Sequence, residues 1–411
     1  MKKKQMRTRA WTKYKRSILT VVFLLALASS NVFAQDAGIE WQKLSLHANE
    51  LHDAGKYDSA VVVALKALKI VEKNVGPDHP DVATSLINLA GLYYTQGRYV
   101  QAEWLYKRAL AISENALGPD HRNVGASLNN LALLYYTQGH YAQAEPLYKR
   151  TLAISEKALG PDDPDVATCL NNLAELYRTQ GKYSQAEQLY KRALAIDEKA
   201  LGPDHPYVAT SLNNLAEFYS DQGKYAEAKK LCRRSLAIKE KSLGPDHPDI
   251  ALSLNNLAWL YDTQGHYAQA EPLYKRALVI KEKALGTDHP SVATSLNNLG
   301  VLYSNQRQYM RAEPLYKRAL AIYNNAFGPD HPSVAASLNN LASLYYTQGQ
   351  YKQAEPLYKR ALAIKEKAFG PNHPDVAMSL NNLAALYRAT LRDKEAEELE
   401  KRVAKIRSME R

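Results

Sequence analysis

A glycine that opens a GPDHP-type loop stands at positions 76, 118, 160, 202, 244, 286, 328 and 370, always 42 residues after the last. A second marker, TQGxY, keeps a fixed phase to the first. It places Gly97, Gly139, Gly181, Gly265 and Gly349, with Gly55 and Gly223 in the variants DAGKY and DQGKY. Arg307 and Leu391 hold the same phase without a glycine. A strict period of this length excludes a single core assembled from distant segments. Each unit is one small element that cannot bury its apolar face alone, and stacked neighbours bury it together. About nine 42-residue units occupy residues 35–411, which leaves no stretch for a separate catalytic domain.

Each unit reads as two helices. In residues 122–159 the first, helix A, is predicted from about Asn123 to Thr137. Val124, Leu128, Leu131, Ala132 and Tyr135 give it the i, i+3/i+4, i+7 spacing of an amphipathic helix. Gln138-Gly139-His140 breaks it, because glycine takes positive φ at little cost. Helix B is predicted from about Ala142 to Leu159, ended by Gly160 and Pro161. In the Asp-His-Pro-Asp loops the aspartate is expected to cap the next helix, with Pro in its first turn. Pro146, Pro272, Pro314 and Pro356 lie early in helix B, which predicts a late or irregular start. Small Ala132 and Ala144 recur where helices must approach, and large Leu131, Tyr135 and Tyr148 recur opposite them. Truncating Tyr219 is expected to cost about 3–5 kcal/mol. The fold class is all-α, a solenoid of stacked antiparallel helix pairs. The first and last units are atypical, as caps should be: KLSLHA replaces the Asn-bearing motif at 43–48, and a charged run closes the chain at 393–402.

Residues 1–34 stand apart. Eight basic side chains and no acid precede an apolar run, Ile18 to Ala28, and Val32-Phe33-Ala34 offers a small-residue cleavage site. This is the pattern of a secretory signal peptide. It predicts an exported protein, periplasmic or extracellular, or one held at the membrane through this segment if it stays uncleaved. Without these residues the net charge falls from +11 to +3, so the basic character is mostly the leader's and argues little for nucleic acid. Cys169 and Cys232 are too few for a disulfide-stapled fold and sit at apolar helical positions; whether they pair is open.

The units resemble the tetratricopeptide repeat. In the third, Leu128, Leu131, Ala132, Tyr135, Ala144, Tyr148 and Thr151 carry the likeness. The 42-residue form, with LNNLA, QGxYxxAExLYKRALAI and LGPDHPDVA, is similar to the repeats of kinesin light chains, without the heptad segment that would join a motor. The resemblance implies a right-handed superhelix with a concave groove that binds a protein or peptide segment. It places the second, fifth, sixth, ninth, twelfth and thirteenth positions of helix A on that groove, counting Leu128 as the fourth. Helical geometry agrees, since these positions form a stripe opposite Leu131 and Tyr135.

The motif SLNNLA puts two poor helix formers on this stripe in unit after unit. The sixth position is Asn88, Asn130, Asn172, Asn214, Asn256, Asn298, Asn340 and Asn382. The fifth is Asn129, Asn171, Asn213, Asn255, Asn297, Asn339 and Asn381. A carboxamide both donates and accepts, so a ladder of them matches the backbone of an extended peptide without reading its sequence. The same ladder could instead bond between units and set their register. The ninth and twelfth positions vary: Glu175, Glu217 and Asp262 give an acidic middle, Arg178 and Arg388 are basic, and Trp259 is a candidate aromatic anchor. This suggests a uniform grip beside a variable selectivity surface.

The loop histidines sit one unit apart, too far to share a metal ion. The Lys-Arg pairs of helix B, such as Lys149-Arg150, form a basic ladder that Glu145 and Glu313 can neutralise four residues earlier; a solvated outer face is the plainer reading, and a track for an anionic polymer the other. No nucleophile elbow, zinc motif or phosphate loop is present, and no cofactor is implied. The sequence therefore predicts a non-catalytic interaction scaffold, or else a structural spacer or self-assembling array whose asparagines only set register.

Overall fold

The computed structural model describes residues 35–409. The leader read at 1–34 lies outside them. Among the described residues there are eighteen α-helices and no strand. The A helices are α1 (Gln35–Asp53), α3 (Pro80–Thr95), α5 (Arg122–Thr137), α7 (Pro164–Thr179), α9 (Pro206–Asp221), α11 (Ile250–Thr263), α13 (Pro290–Asn305), α15 (Pro332–Thr347) and α17 (Pro374–Ala389). The B helices are α2 (Tyr57–Val75), α4 (Tyr99–Leu117), α6 (Tyr141–Leu159), α8 (Tyr183–Leu201), α10 (Tyr225–Leu243), α12 (Tyr267–Leu285), α14 (Tyr309–Phe327), α16 (Tyr351–Phe369) and α18 (Asp393–Met409). The chain forms two compact bodies that divide between Ile238 and Lys239.

Seven of the nine A–B turns follow from a glycine. The amide of Gly139 donates to the Tyr136 carbonyl (3.0 Å) and that of His140 to the Tyr135 carbonyl (2.8 Å), which is the Schellman pattern. It needs a left-handed residue, and Gly139 has φ 75°. Arg307 (φ 61°) and Leu391 (φ 60°) hold the same conformation despite their side chains, so the turn persists under strain.

The B–A loops correct the expected cap. Histidine, rather than the preceding aspartate, caps the A helix. The Nδ1 of His79, His121, His205, His289, His331 and His373 accepts from the backbone amide two residues on. Where the fourth repeat has Asp163 instead, its carboxylate does the same work. The acceptor at this position is what matters, and the proline that follows takes the first helical position. Helix B is also corrected. It begins on time at Tyr141, and Pro146 lies inside it. Both Pro146 and Ala142, whose carbonyl loses its amide partner, face solvent, where water can replace that bond.

Core clusters repeat with the units. In the first body Val166, Ala167 and Leu170 of α7 meet Ala193 and Ile196 of α8, and Leu152 of the preceding repeat closes the cluster. In the second body Val292, Ala293 and Leu296 join Ala319 and Ile322, then Val334, Ala335 and Leu338 of the next repeat. A repeat thus shares its core with its neighbour, as the period required. Ala132 and Ala144 are fully buried and Tyr148 nearly so. Tyr219 is only half-buried, with its hydroxyl on Glu187 (3.1 Å), so its truncation should cost less than a core tyrosine would; Tyr106, Tyr148 and Tyr190 of the B helices are the true core rings.

Candidate partner-binding groove

The two asparagines of SLNNLA face different surroundings. The fifth-position residues Asn129, Asn171, Asn213, Asn255, Asn297 and Asn339 are buried. Asn171 donates to Ser211 Oγ of the next repeat (3.0 Å), and Asn297 donates to Ser337 Oγ (2.9 Å). In the first body this bond extends: Ser211 donates on to Asp197 Oδ2 of α8 (2.6 Å). The fifth row therefore lies in the seam between repeats, except for Asn381 of the last repeat, which is half-buried.

The sixth row is divided. Asn172 donates to Asn129 of the preceding repeat (2.8 Å). Asn130 and Asn256 are buried. Asn88 and Asn214 in the first body, and Asn298, Asn340 and Asn382 in the second, are half-buried, and their side chains hydrogen-bond no other described residue. The residue one turn on, at the ninth position, tracks the difference. Leu133, Glu175 and Trp259 follow the buried asparagines, whereas Gly91, Val301, Ser343 and Ala385 follow open ones. Asn214, half-open beside Glu217, is the exception.

The variable stripe read as a selectivity surface is largely closed in the middle repeats. Glu217, Arg178, Trp259 and Asp262 are buried. Arg178 bonds Glu175 of its own helix and Asp221 of the next repeat, and Glu217 lies 3.7 Å away. Glu175 also accepts from the hydroxyls of Tyr136 and Tyr190 (2.9 Å each). Burial opposes the charge of Arg178, but three carboxylates hold its guanidinium firmly protonated. A twelfth-position side chain generally reaches the thirteenth of the next repeat. Tyr94 meets Thr137 (2.7 Å), Tyr136 meets Thr179 (2.9 Å), and in the second body Asn305 donates to Asp262 (3.1 Å). Variation along this stripe is thus paired variation between neighbours. At the last repeat Arg388 is exposed but held by Asp393 (2.9 Å) and Glu400 (3.0 Å) of α18. In the third repeat Leu133 offers no acceptor, and the buried Tyr148 hydroxyl has no partner among the described residues.

Sequence reading missed a second seam, on helix B. Ser113, Ser155, Asp197, Lys239, Lys281, Tyr323 and Lys365 occupy one phase. Ser155 contacts Cys169 Sγ (3.4 Å), and Lys365 donates to Ser379 (2.9 Å), each in the following A helix. Burial raises the Asp197 carboxyl and lowers the Lys239 and Lys281 amines. The signal was present: this position changes charge while its neighbours stay constant. Cys169 and Cys232 are free and buried, and burial pushes their thiols up to about 11 and about 12.

On the outer face the expected Lys149–Glu145 and Lys317–Glu313 pairs form (2.7 Å each). The arginines reach further than expected, to the preceding repeat, as in Arg150–Glu114 (2.6 Å) and Arg276–Glu240 (2.5 Å).

Among curated proteins no sequence matches the chain. Among solved structures it is similar to kinesin light chain TPR-like repeats from Podosopora anserina (31% identity, 50% of this chain, 96% of that one, TM-score 0.42). It is similar also to BtubC from P. vanneervenii (27% identity, 56% and 91% covered, TM-score 0.43). A Rap protein complexed with Competence and Sporulation Factor shares the fold at 14% identity (92% and 99% covered, TM-score 0.58). The tetratricopeptide repeat family matches residues 43–115, 93–157, 141–199, 207–283, 268–325, 291–367 and 353–408. Those matches, overlapping in places, cover most of residues 43–408 over the stacked helix pairs, and the chain belongs to the tetratricopeptide repeat family.

Proposed function

We propose that this protein is a non-catalytic scaffold that grips an extended peptide or partner segment through the sixth-position asparagines left open, above all Asn298, Asn340 and Asn382. The observation that carries the reading is the split between the two rows. The fifth row bonds the repeats together, while the side chains of the open members of the sixth hydrogen-bond no other described residue and keep both donor and acceptor available. Family membership supports the same class of role. We further propose that the leader exports the chain, to a periplasmic or extracellular site, or holds it at the membrane if uncleaved. The register-only reading has its own support in the Asn172–Asn129 bond and is given to the fifth row.

The test compares Asn298→Ala/Asn340→Ala/Asn382→Ala with Asn297→Ala on an array of unstructured peptides. The triple variant should lose peptide capture with its melting temperature nearly unchanged, whereas Asn297→Ala should melt earlier and still capture. Full capture by the triple variant, or a melting loss equal to that of Asn297→Ala, would sink the proposal.

A further inference from the structure

The outer face of the first two repeats differs from every later one. On α2, Val62, Leu65, Lys66, Lys69 and Lys73 lie at i, i+3, i+4, i+7 and i+11, one stripe of the helix, and all five are exposed. Trp104 of α4 stands 42 residues after Val62, in the same place one repeat on, with Val100 a turn before it. Arg108 of α4 pairs with Glu72 of α2 (2.7 Å), so the two stripes are neighbours. Val100 is 78% exposed, Trp104 60%, Val62 53% and Leu65 44%. At the position of Trp104 the later repeats carry Pro146, Gln188, Lys230, Pro272, Pro314, Pro356 and Glu398. In later repeats the equivalents of Lys73 have acids: Lys157 pairs with Asp120 (2.5 Å) and Lys283 with Asp246 (3.1 Å), each in the preceding loop. Lys66, Lys69 and Lys73 pair with no carboxylate among the described residues.

The patch is therefore apolar at one end, with an indole at its edge, and basic at the other. We propose that it docks this end of the protein on an anionic bilayer surface, Trp104, Val100, Val62 and Leu65 entering the headgroup boundary and Lys66, Lys69 and Lys73 meeting lipid phosphates. Charge decides the occupant: cations without acids complement a surface that is anionic throughout. Size agrees. Four apolar side chains fall well short of the 20–30 residues a side of a stable protein interface, whereas an interfacial tryptophan with a few aliphatic neighbours is enough for peripheral attachment. Among the described residues no helix is long and apolar enough to cross a membrane, so the contact is superficial. It is separate from any hold exerted by residues 1–34.

The full chain carrying Trp11→Phe isolates the exposed indole, since Trp41 and Trp259 are buried. The emission of Trp104, taken as the difference from the same chain with Trp104→Phe, is followed on vesicles with bromine-labelled acyl chains. Quenching is expected on phosphatidylglycerol-containing vesicles, and quenching at least about tenfold weaker, at equal lipid, on phosphatidylcholine alone and for Lys66→Glu/Lys69→Glu/Lys73→Glu. These are exposed positions, and circular dichroism should show the fold unchanged. Trp104 unquenched on vesicle-bound chains, or quenched equally in the triple variant, would overturn the proposal. So would a Trp104 shift that needs no lipid and grows with protein concentration, which would assign the patch to a second copy.

Discussion

Repeats 4 and 8 carry nearly the same A helix, CLNNLAELYRT and SLNNLASLYYT, yet one stripe is shut and the other open. In repeat 4, Glu175 and Arg178 join Asp221 and two tyrosine hydroxyls in a buried network, and Asn172 is buried and bonded to Asn129. In repeat 8, Ser343 and Tyr346 stand in their places, and Asn340 stays half-exposed. The asparagines are identical. What differs is the residue one turn away, larger where the carboxamide is buried than where it stays half-open, with Asn214 beside Glu217 the exception. A constant motif thus has two uses, set by its variable neighbour.

The comparison breaks most sharply at Arg178. Arg178→Ala leaves three carboxylates facing one another without their cation, and removing one partner of a buried ion network costs about 3–5 kcal/mol. Chemical denaturation should register that loss, while Arg388→Ala, at an exposed twelfth position, should cost far less. Similar losses for the two would mean that the middle network does not hold the repeats together. Next comes the seam. Asn171→Ala strips a buried bond from Ser211 and should cost about 1–3 kcal/mol, against almost nothing for Asn340→Ala. Thermal melts of the two single variants decide it.

Ser343→Trp sharpens the comparison from the other side. A large ring one turn after Asn340, matching Trp259 after the buried Asn256, should cover it and weaken peptide capture about tenfold, near 1.4 kcal/mol. The fold should be retained because the position is half-open, although the bond between Ser343 and the Tyr358 hydroxyl is lost. Undiminished capture on the peptide array would separate position nine from the gating role assigned to it.

The fold was legible because periodicity carries it. The 42-residue phase, the Gly139-type turn and the spacing of Val124, Leu128 and Leu131 each point to a stacked helix pair, and the structure shows one. The site was legible only as a stripe. Helical geometry puts Asn129 and Asn130 on adjacent positions, but one residue of rotation separates seam from groove, and only packing against the next repeat decides between them. Glu175 and Arg178 read as groove-facing charges because the further partners that close the network, Asp221 at 43 residues and Tyr190 in helix B, leave no local signal. The histidine caps were missed for a different reason: an imidazole nitrogen replaces the usual carboxylate or hydroxyl acceptor. Arg307 and Leu391 were visible as departures in phase, but their positive φ was not. Arg307→Gly should relieve that turn and stabilise the protein by about 1 kcal/mol, read as a rise in melting temperature; no rise would mean that the turn bears no strain.

The smallest effect should separate the two bodies by the sign of one seam residue. Asp197, in the first body, has its carboxyl raised above the ordinary range, chiefly by burial and despite the Ser211 hydroxyl. The folded state then holds this proton to higher pH than the unfolded chain does. Its contribution to stability is intact below the unfolded value near 3.8 and falls as pH rises through the folded one. Lys239, in the second body, has its amine lowered by burial, so the folded state sheds this proton first and stability rises with pH as the unfolded value near 10.5 is approached from below. Asp197→Asn should therefore raise the melting temperature at pH 7 more than at pH 3.5. Lys239→Met should raise it more at pH 7 than at pH 10. If both variants shift the melting curve equally at every pH, the charges at this seam position do not set stability, and its variation between repeats has another cause.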